Sequence, residues 1–417
     1  HLVLAHIGGD DGIALQQPIQ SLQSLNHQGL CINQEVAACG GTGTNNDGNG
    51  GSEIDRPAGG VEDTSDSDGS DNSGDDSSDD SGDGMKFYKM PCEPFTLYGV
   101  RHDERGFYRL EDDFAASVSD GVKDLARNTA GGRIRFKTDS KTLKATVKYK
   151  NLRQMGHMPL SGSGGLSLTD VTDGEWTFKG LIRPEHNCER GYEGSVKLSG
   201  EMREYILWLP LYNDVDELTI GLDEGAAVEK GGDYAYGGKP IAYYGSSITQ
   251  GGCASRPDNA YEALISKHTD TDFINLGFSG SAKGETAVAK YAAALNPLIF
   301  VIDYDHNAPD AEYLRSTHYA FYKAFREENK TTPIVFVTRP DFDSDEASAS
   351  RRAVVKETCE KAKSVDDDVY FVDGQTLFGE LDRENCTVDG CHPNDLGFYR
   401  MSEVIGSAIR EILAKIK

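Results

Sequence analysis

Two short segments of this chain carry the side chains that nucleophilic chemistry needs. YYGSSITQGG sets a serine pair, Ser246 and Ser247, on a tight turn between glycines. A serine on a strand-to-helix turn is exposed at a sheet edge beside backbone N–H groups, which suits a nucleophile. Near the C-terminus, DGCHPNDLGF places Asp389 three residues before His392. A serine nucleophile needs a base of near-neutral pKa, and that base needs a carboxylate to fix its tautomer, so one local element can supply both. NLGFSGSAKG adds a glycine backbone N–H and DYDHNAPD adds the Asn307 amide, both suitable donors to a tetrahedral oxyanion. The Gly-rich turn is no phosphate cradle, because neither the Lys of G-x-x-x-x-G-K-[ST] nor the fingerprint G-x-G-x-x-G is present.

The elements that must position these groups come in two styles. After Lys239, apolar runs alternate with helical stretches: IAYYG, FINLGF, LIFVIDYD, PIVFVTRP and VYFVDG, each followed by a helix, the last from about Asn394. Five strands alternating with helices predict a parallel sheet covered on both faces, with chemistry in the loops past the strand ends. Between Lys86 and about Gly232 the runs are short and alternating: RIRFKTDS, LKATVKYKN, GSVKLSG, EYILWLPLY and ELTIGLD. In LKATVKYK, Leu143, Ala145, Val147 and Tyr149 face one way. No helical period of useful length appears there, so a β-sandwich or jelly roll is expected, with Trp176 and Trp208 as core residues or, alternatively, a sugar-stacking platform.

Composition sets the limits. Of 417 residues, 68 are acidic and 42 basic, giving a net charge of −26, which argues against a nucleic-acid binder because phosphate recognition needs clustered Lys and Arg. No apolar run approaches the ~18 residues of a membrane span. Residues 1–84 hold 16 acidic residues, one basic residue and no Phe, Tyr, Trp, Lys or Met. Such a segment is expected to be a disordered, extended linker or the end of a preceding module. Asp66, Asp68 and Asp71 only loosely resemble calcium-loop ligands, with no closing Glu. Met85 could be a true start and imply a cytoplasmic protein, but the low-complexity run favours a secreted or cell-surface modular enzyme. Eight Cys are too scattered along the chain to read as a disulfide framework or a zinc site.

In order and spacing, G-S-S-I-T-Q-G, N-L-G-F-S-G, D-H-N-A-P and D-G-C-H-P-N resemble the GDSL/SGNH hydrolase superfamily from about Pro240 to the C-terminus. The resemblance implies a flavodoxin-like α/β fold and makes Ser247 the nucleophile, with Ser246 where Asp is usual. It makes His392 the base, Asp389 its orienter, and Ser247, Gly280 and Asn307 the oxyanion donors. Asp305-His306-Asn307-Ala308 departs from the usual G-x-N-D. The sandwich resembles the domain preceding SGNH domains in some bacterial esterases; Gly165-Leu166-Ser167-Leu168-Thr169 is nearest to its G-x-D-L-Y motif. Three parts follow: residues 1–84, a sandwich at 85–232 and a hydrolase domain at 233–417.

The activity implied is a serine esterase acting on short, chiefly acetyl, esters of carbohydrates. No metal or organic cofactor is implied, nor any nucleic-acid or membrane partner, and the oligomeric state is open. The alternatives are a lipase or acyl thioesterase of the same superfamily and a non-catalytic carbohydrate-binding protein. Plainer roles compete residue by residue: Asp389 as an N-cap, His392 as a residue opening the last helix, Gly280 as a turn residue and Asn307 as a loop amide. His306 reads as a structural neighbour or, alternatively, a substrate contact. Cys253 and Cys391 read as small packing groups, or as a mutual disulfide.

Overall fold

The computed structural model describes residues 84–416. The linker, the calcium-loop reading, Cys31 and Cys39 lie outside the described residues.

The alternation in LKATVKYK sets the first sheet. In the strand Thr142–Lys148, Leu143, Ala145 and Val147 are buried, while the residues between them are at least partly exposed. Its antiparallel sheet runs Met85–Lys89, Glu217–Asp223, Thr142–Lys148, Gly191–Lys197. The facing sheet runs Val228–Lys230, Arg133–Thr138, Arg203–Trp208, Leu166–Asp170, Thr177–Ile182, with Thr96–Tyr98 also on Arg133–Thr138. Ile134, Phe136, Leu143, Val147, Leu207 and Ile220 meet between them.

The strand Arg203–Trp208 is buried on both faces. Tyr205 and Leu207 enter the sandwich core, whereas Ile206 and Trp208 enter a second core shared with Ile241, Tyr243 and Phe273 of the C-terminal half. That explains why EYILWLPLY reads as a nearly continuous apolar run rather than an alternating one. Trp208 stacks on Phe273 at 6.2 Å and its Nε1–H donates to Thr169 Oγ1 (3.1 Å). Trp176 is half-buried against Trp208. Trp208 therefore packs the interior, while Trp176 lies against it with part of its ring exposed.

One expectation fails. Two short helices, Asp112–Val118 and Asp120–Leu125, interrupt the β region. Each spans about two turns, too few for a visible 3.6-residue period. They hold together by packing instead: Ala115, Val122 and Ala126 join a core of the C-terminal half, and Phe114 stacks on Tyr291 at 5.0 Å.

The C-terminal half has five parallel strands: β1 (Ile241–Gly245), β2 (Phe273–Gly277), β3 (Ile299–Asp303), β4 (Ile334–Val337) and β5 (Val369–Val372), in the order β2-β1-β3-β4-β5. This is the expected doubly wound sheet. Ile241, Tyr243, Val301 and Val335 point to one face, packed by helices α2 (Tyr261–Thr269) and α6 (Asp395–Ile416) and by the sandwich. Ala242, Tyr244, Phe300 and Phe336 point to the other, packed by α3 (Thr286–Ala294), α4 (Ala311–Glu328) and α5 (Glu346–Lys363). The short α1 (Ser247–Gln250) follows β1. Asp310 caps α4 by accepting from Tyr313 N (2.7 Å), and Asn394 accepts from Gly397 N (3.1 Å) at the start of α6. Among the described residues, no helix is long and apolar enough to cross a membrane.

Candidate active site

Register puts three loops side by side. Gly245, the last residue of β1, pairs with Gly277 of β2 and with Asp303 of β3, so the three following loops leave the sheet at one level. The turn after β1 is tight. A Cβ on Gly245 would lie 2.0 Å from Thr249 Oγ1 and 2.3 Å from the Asp303 carbonyl, so only glycine lets α1 fold back this closely. Ser246 then caps α1: its Oγ accepts from Ile248 N (3.2 Å). Asp and Ser are comparable N-caps, which accounts for a serine standing where the superfamily uses aspartate.

Ser247 opens α1 and is 6% exposed. Its Oγ lies 2.9 Å from His392 Nε2, and His392 Nδ1 lies 2.8 Å from Asp389 Oδ2. A carboxylate only accepts, so Nδ1 carries the hydrogen and a neutral ring leaves Nε2 free to accept from Ser247. Asp389 Oδ1 also accepts from the Cys391 and His392 amides (3.0 and 2.8 Å). Burial works against ionisation of Asp389, but those amide bonds and the His392 ring outweigh it and hold the carboxyl below its ordinary range.

Asn307 ends the turn after β3 and donates from Nδ2 to the Phe278 carbonyl (3.1 Å), which ties the third loop to the second. The second Nδ2 hydrogen stays available to another acceptor. Gly280 lies in the β2 loop at φ +65°, a left-handed conformation that glycine adopts without strain. Asp305 is buried, and burial raises its carboxyl to about 6 despite an amide bond from Arg339 (3.1 Å). His306 sits 3.0 Å from Cys391 Sγ; desolvation first, then Arg339 and His392, push the ring down to about 3. It is a neutral strut beneath the Asp389–His392 turn, as a structural neighbour would be.

Cys253 and Cys391 are not joined to each other in a disulfide. Burial, followed by the charges of Asp389 and Cys391, lifts the Cys253 thiol to about 12, so it is no nucleophile. Among the described residues one His/Cys group converges at metal-ligand range: His157, Cys253 and His392.

Sequence reasoning missed what the sandwich contributes. Tyr212 OH donates to the Ser247 carbonyl (3.0 Å), and Gln250 Nε2 donates to Asn128 Oδ1 (3.0 Å) and to the Leu211 carbonyl (3.3 Å). Arg109 reaches the far side of the same loops: it donates to the carbonyls of Gly277 (2.6 Å), Asn128 (2.8 Å) and Leu125 (2.7 Å). The polarity of Thr249 and Gln250 is thus spent inward. Thr249 is bonded to buried Asp303 (3.2 Å), and Gln250 Oε1 accepts from Ser279 N (3.0 Å). Thr249 and Gln250 are fully buried and are spent on holding the loops rather than on facing substrate.

Residues 238–410 match the GDSL-like Lipase/Acylhydrolase family, and residues 85–228 match GxDLY, the N-terminus of Esterase_SGNH_hydro-type. A solved structure from Bacteroides ovatus, described as a GDSL-like lipase, is 30% identical with a TM-score of 0.71, over 79% of this chain and 98% of that one. A salicylyl-acyltransferase from a tetracycline biosynthetic pathway is 21% identical with a TM-score of 0.63, over 80% and 98%. A family two carbohydrate esterase from Clostridium thermocellum is 14% identical with a TM-score of 0.53, over 77% and 99%. The last two likenesses concern the fold alone. No curated protein matches the chain at a significant level. The loop motifs, the strand order and the match to the Bacteroides ovatus structure over nearly its whole length agree: the chain belongs to the GDSL-like lipase/acylhydrolase family.

Proposed function

We propose that the protein is a serine esterase that removes short acyl groups, chiefly acetyl, from carbohydrate hydroxyls. The observation that carries the mechanism is His392 standing between Ser247 Oγ (2.9 Å) and Asp389 (2.8 Å). Ser247 Oγ attacks the ester carbonyl while its proton passes to His392 Nε2, and Asp389 stabilises the imidazolium. The tetrahedral oxyanion receives hydrogen bonds from the backbone N–H groups of Ser247 and Gly280 and from Asn307 Nδ2. Collapse expels the alcohol, which takes the proton from His392. Water, deprotonated by the same ring, then cleaves the acyl-enzyme and releases the carboxylic acid.

The substrate class rests on the surroundings. A cavity of about 430 Å³ in the sandwich, lined by Gln154, Met155, Met158, Leu160, Arg183 and His186, adjoins His157, whose ring lies 5.4 Å from that of His392. Its walls are mainly apolar, from Met155, Met158, Pro159 and Leu160, with Gln154, Arg183 and His186 as the hydrogen-bonding groups that sugar hydroxyls could use. The carbohydrate esterase of the same fold is an analogy of layout. The test compares kcat/KM for p-nitrophenyl acetate, butyrate and octanoate, then measures acetate released from acetylated xylan and mono-acetylated sugars. We expect acetate to be preferred and acetate to be released from at least one sugar. A kcat/KM that rises with chain length, with no acetate from any sugar, would replace this reading by a lipase or thioesterase.

Ser246 has a smaller part. Ser246→Ala is expected to lower stability by about 1 kcal/mol through the lost cap and to keep most of the turnover. An inactive Ser246→Ala enzyme beside an active Ser247→Ala enzyme would reverse the two assignments.

A further inference from the structure

Three separately anchored segments converge on the outer edge of His392. The first is a turn of the sandwich: Met155 and Met158 form an antiparallel bridge that leaves Gly156 and His157 at the corner. The base of that turn is fixed, because Arg153 N donates to Asn213 Oδ1 (2.7 Å) and Met158 is buried. The second is the loop after α1, where Cys253 N donates to the Pro393 carbonyl (3.4 Å) and so lies against the residue following His392. The third is the Asp389–His392 turn itself.

We propose that His157, Cys253 and His392 form a site for a thiophilic divalent cation, Zn²⁺ above all, whose occupation reversibly shuts off the Ser247 centre. Their ligand atoms all lie within 4.8 Å of one another. A tetrahedral Zn²⁺ with bonds of about 2.0–2.3 Å needs its ligands about 3.5 Å apart, a contraction that rotation of the exposed His157 side chain supplies. Two imidazoles and one thiolate select Zn²⁺ over Mg²⁺ or Ca²⁺. Water completes the fourth position. Asp389 accepts from His392 Nδ1, which is the outer carboxylate partner that metal-bound histidines use, and it presents Nε2 to the cation. Binding replaces the Cys253 thiol proton, which leaves to solvent, and exchanges the Ser247 hydrogen bond at Nε2 for a Zn–N bond. No electron is transferred. With Nε2 coordinated, nothing remains to take the proton of Ser247.

Two readouts test this. On metal-stripped full-length protein, Zn²⁺ is titrated against p-nitrophenyl acetate turnover, with Mg²⁺ in parallel. Wild type should be inhibited by Zn²⁺, restored by EDTA and indifferent to Mg²⁺. Cys253→Ser should keep its metal-free rate, and Cys253→Ser and His157→Gln should each need at least about tenfold more Zn²⁺ for half-inhibition of their own metal-free turnover. Independently of any esterase activity, Co²⁺ added to Ser247→Ala protein should give a near-ultraviolet thiolate-to-metal absorption band that Ser247→Ala/Cys253→Ser lacks. Wild type indifferent to Zn²⁺, His157→Gln and Cys253→Ser as sensitive as wild type, or no thiolate band with Co²⁺ would each overturn the proposal.

Discussion

Ser247→Ala should lower kcat for p-nitrophenyl acetate by on the order of 10⁴-fold or more, with the thermal unfolding midpoint nearly unchanged. The side chain is small, and alanine suits the first turn of α1, so the loss is chemical rather than structural. Asp389→Asn should fall in the same range. An amide at that position turns the His392 ring toward the wrong tautomer, although the backbone bonds from Cys391 and His392 to the side chain can persist. The double variant should be little slower than either single one, because the residues act as a unit and the oxyanion donors remain. Ser247→Ala retaining more than a tenth of wild-type turnover would remove Ser247 from the mechanism. Additive losses in the double variant would remove the coupling between the two.

Arg109→Ala should be the most damaging single change away from the reacting groups, at about 3–5 kcal/mol of unfolding free energy. Arg109 is 3% exposed, and burial draws its guanidinium down to about 9, still protonated at neutral pH. Its hydrogen bonds offset that burial. Removing the side chain takes the guanidinium donors from the carbonyls of Gly277, Asn128 and Leu125, the last of which keeps only the Asn128 amide (3.1 Å), and opens a cavity beside Phe278, over which the guanidinium sits at 4.7 Å. Because Gly277 leads into the Gly280 loop, turnover should fall with stability. Urea denaturation followed by circular dichroism gives the number. Arg109→Lys should rescue little, since an ammonium cannot span these acceptors in one plane. A loss below about 1 kcal/mol for Arg109→Ala would show that the loop is held by something else.

Both results bear on what the sequence discloses. The nucleophile turn and the Asp389–His392 turn were legible because the chemistry confines residue types to a few positions on one local element. The strands were legible because burial of one face writes a period of two, as in Leu143, Ala145 and Val147. Arg109, Asn128 and Tyr212 were not legible. Arg109 meets Gly277 across 168 positions, and no local pattern records such a contact. Nor does periodicity distinguish a polar residue turned inward, as Thr249 and Gln250 are, from one facing substrate. The helices Asp112–Val118 and Asp120–Leu125 escaped for a related reason: their stability comes from the surface they cover.

The strand Arg203–Trp208 serves two interiors at once, and this sets how such a chain can be rearranged. Cutting at the apparent seam near residue 232 would bare Tyr243, Phe273 and Trp208 to water together, so neither piece would be a self-sufficient building block. Transplanting the sandwich from one relative to another would have to carry the matching face of the partner sheet with it. Recombination at this junction would therefore cost solubility as well as activity, and the two parts behave as one indivisible unit for protein engineering.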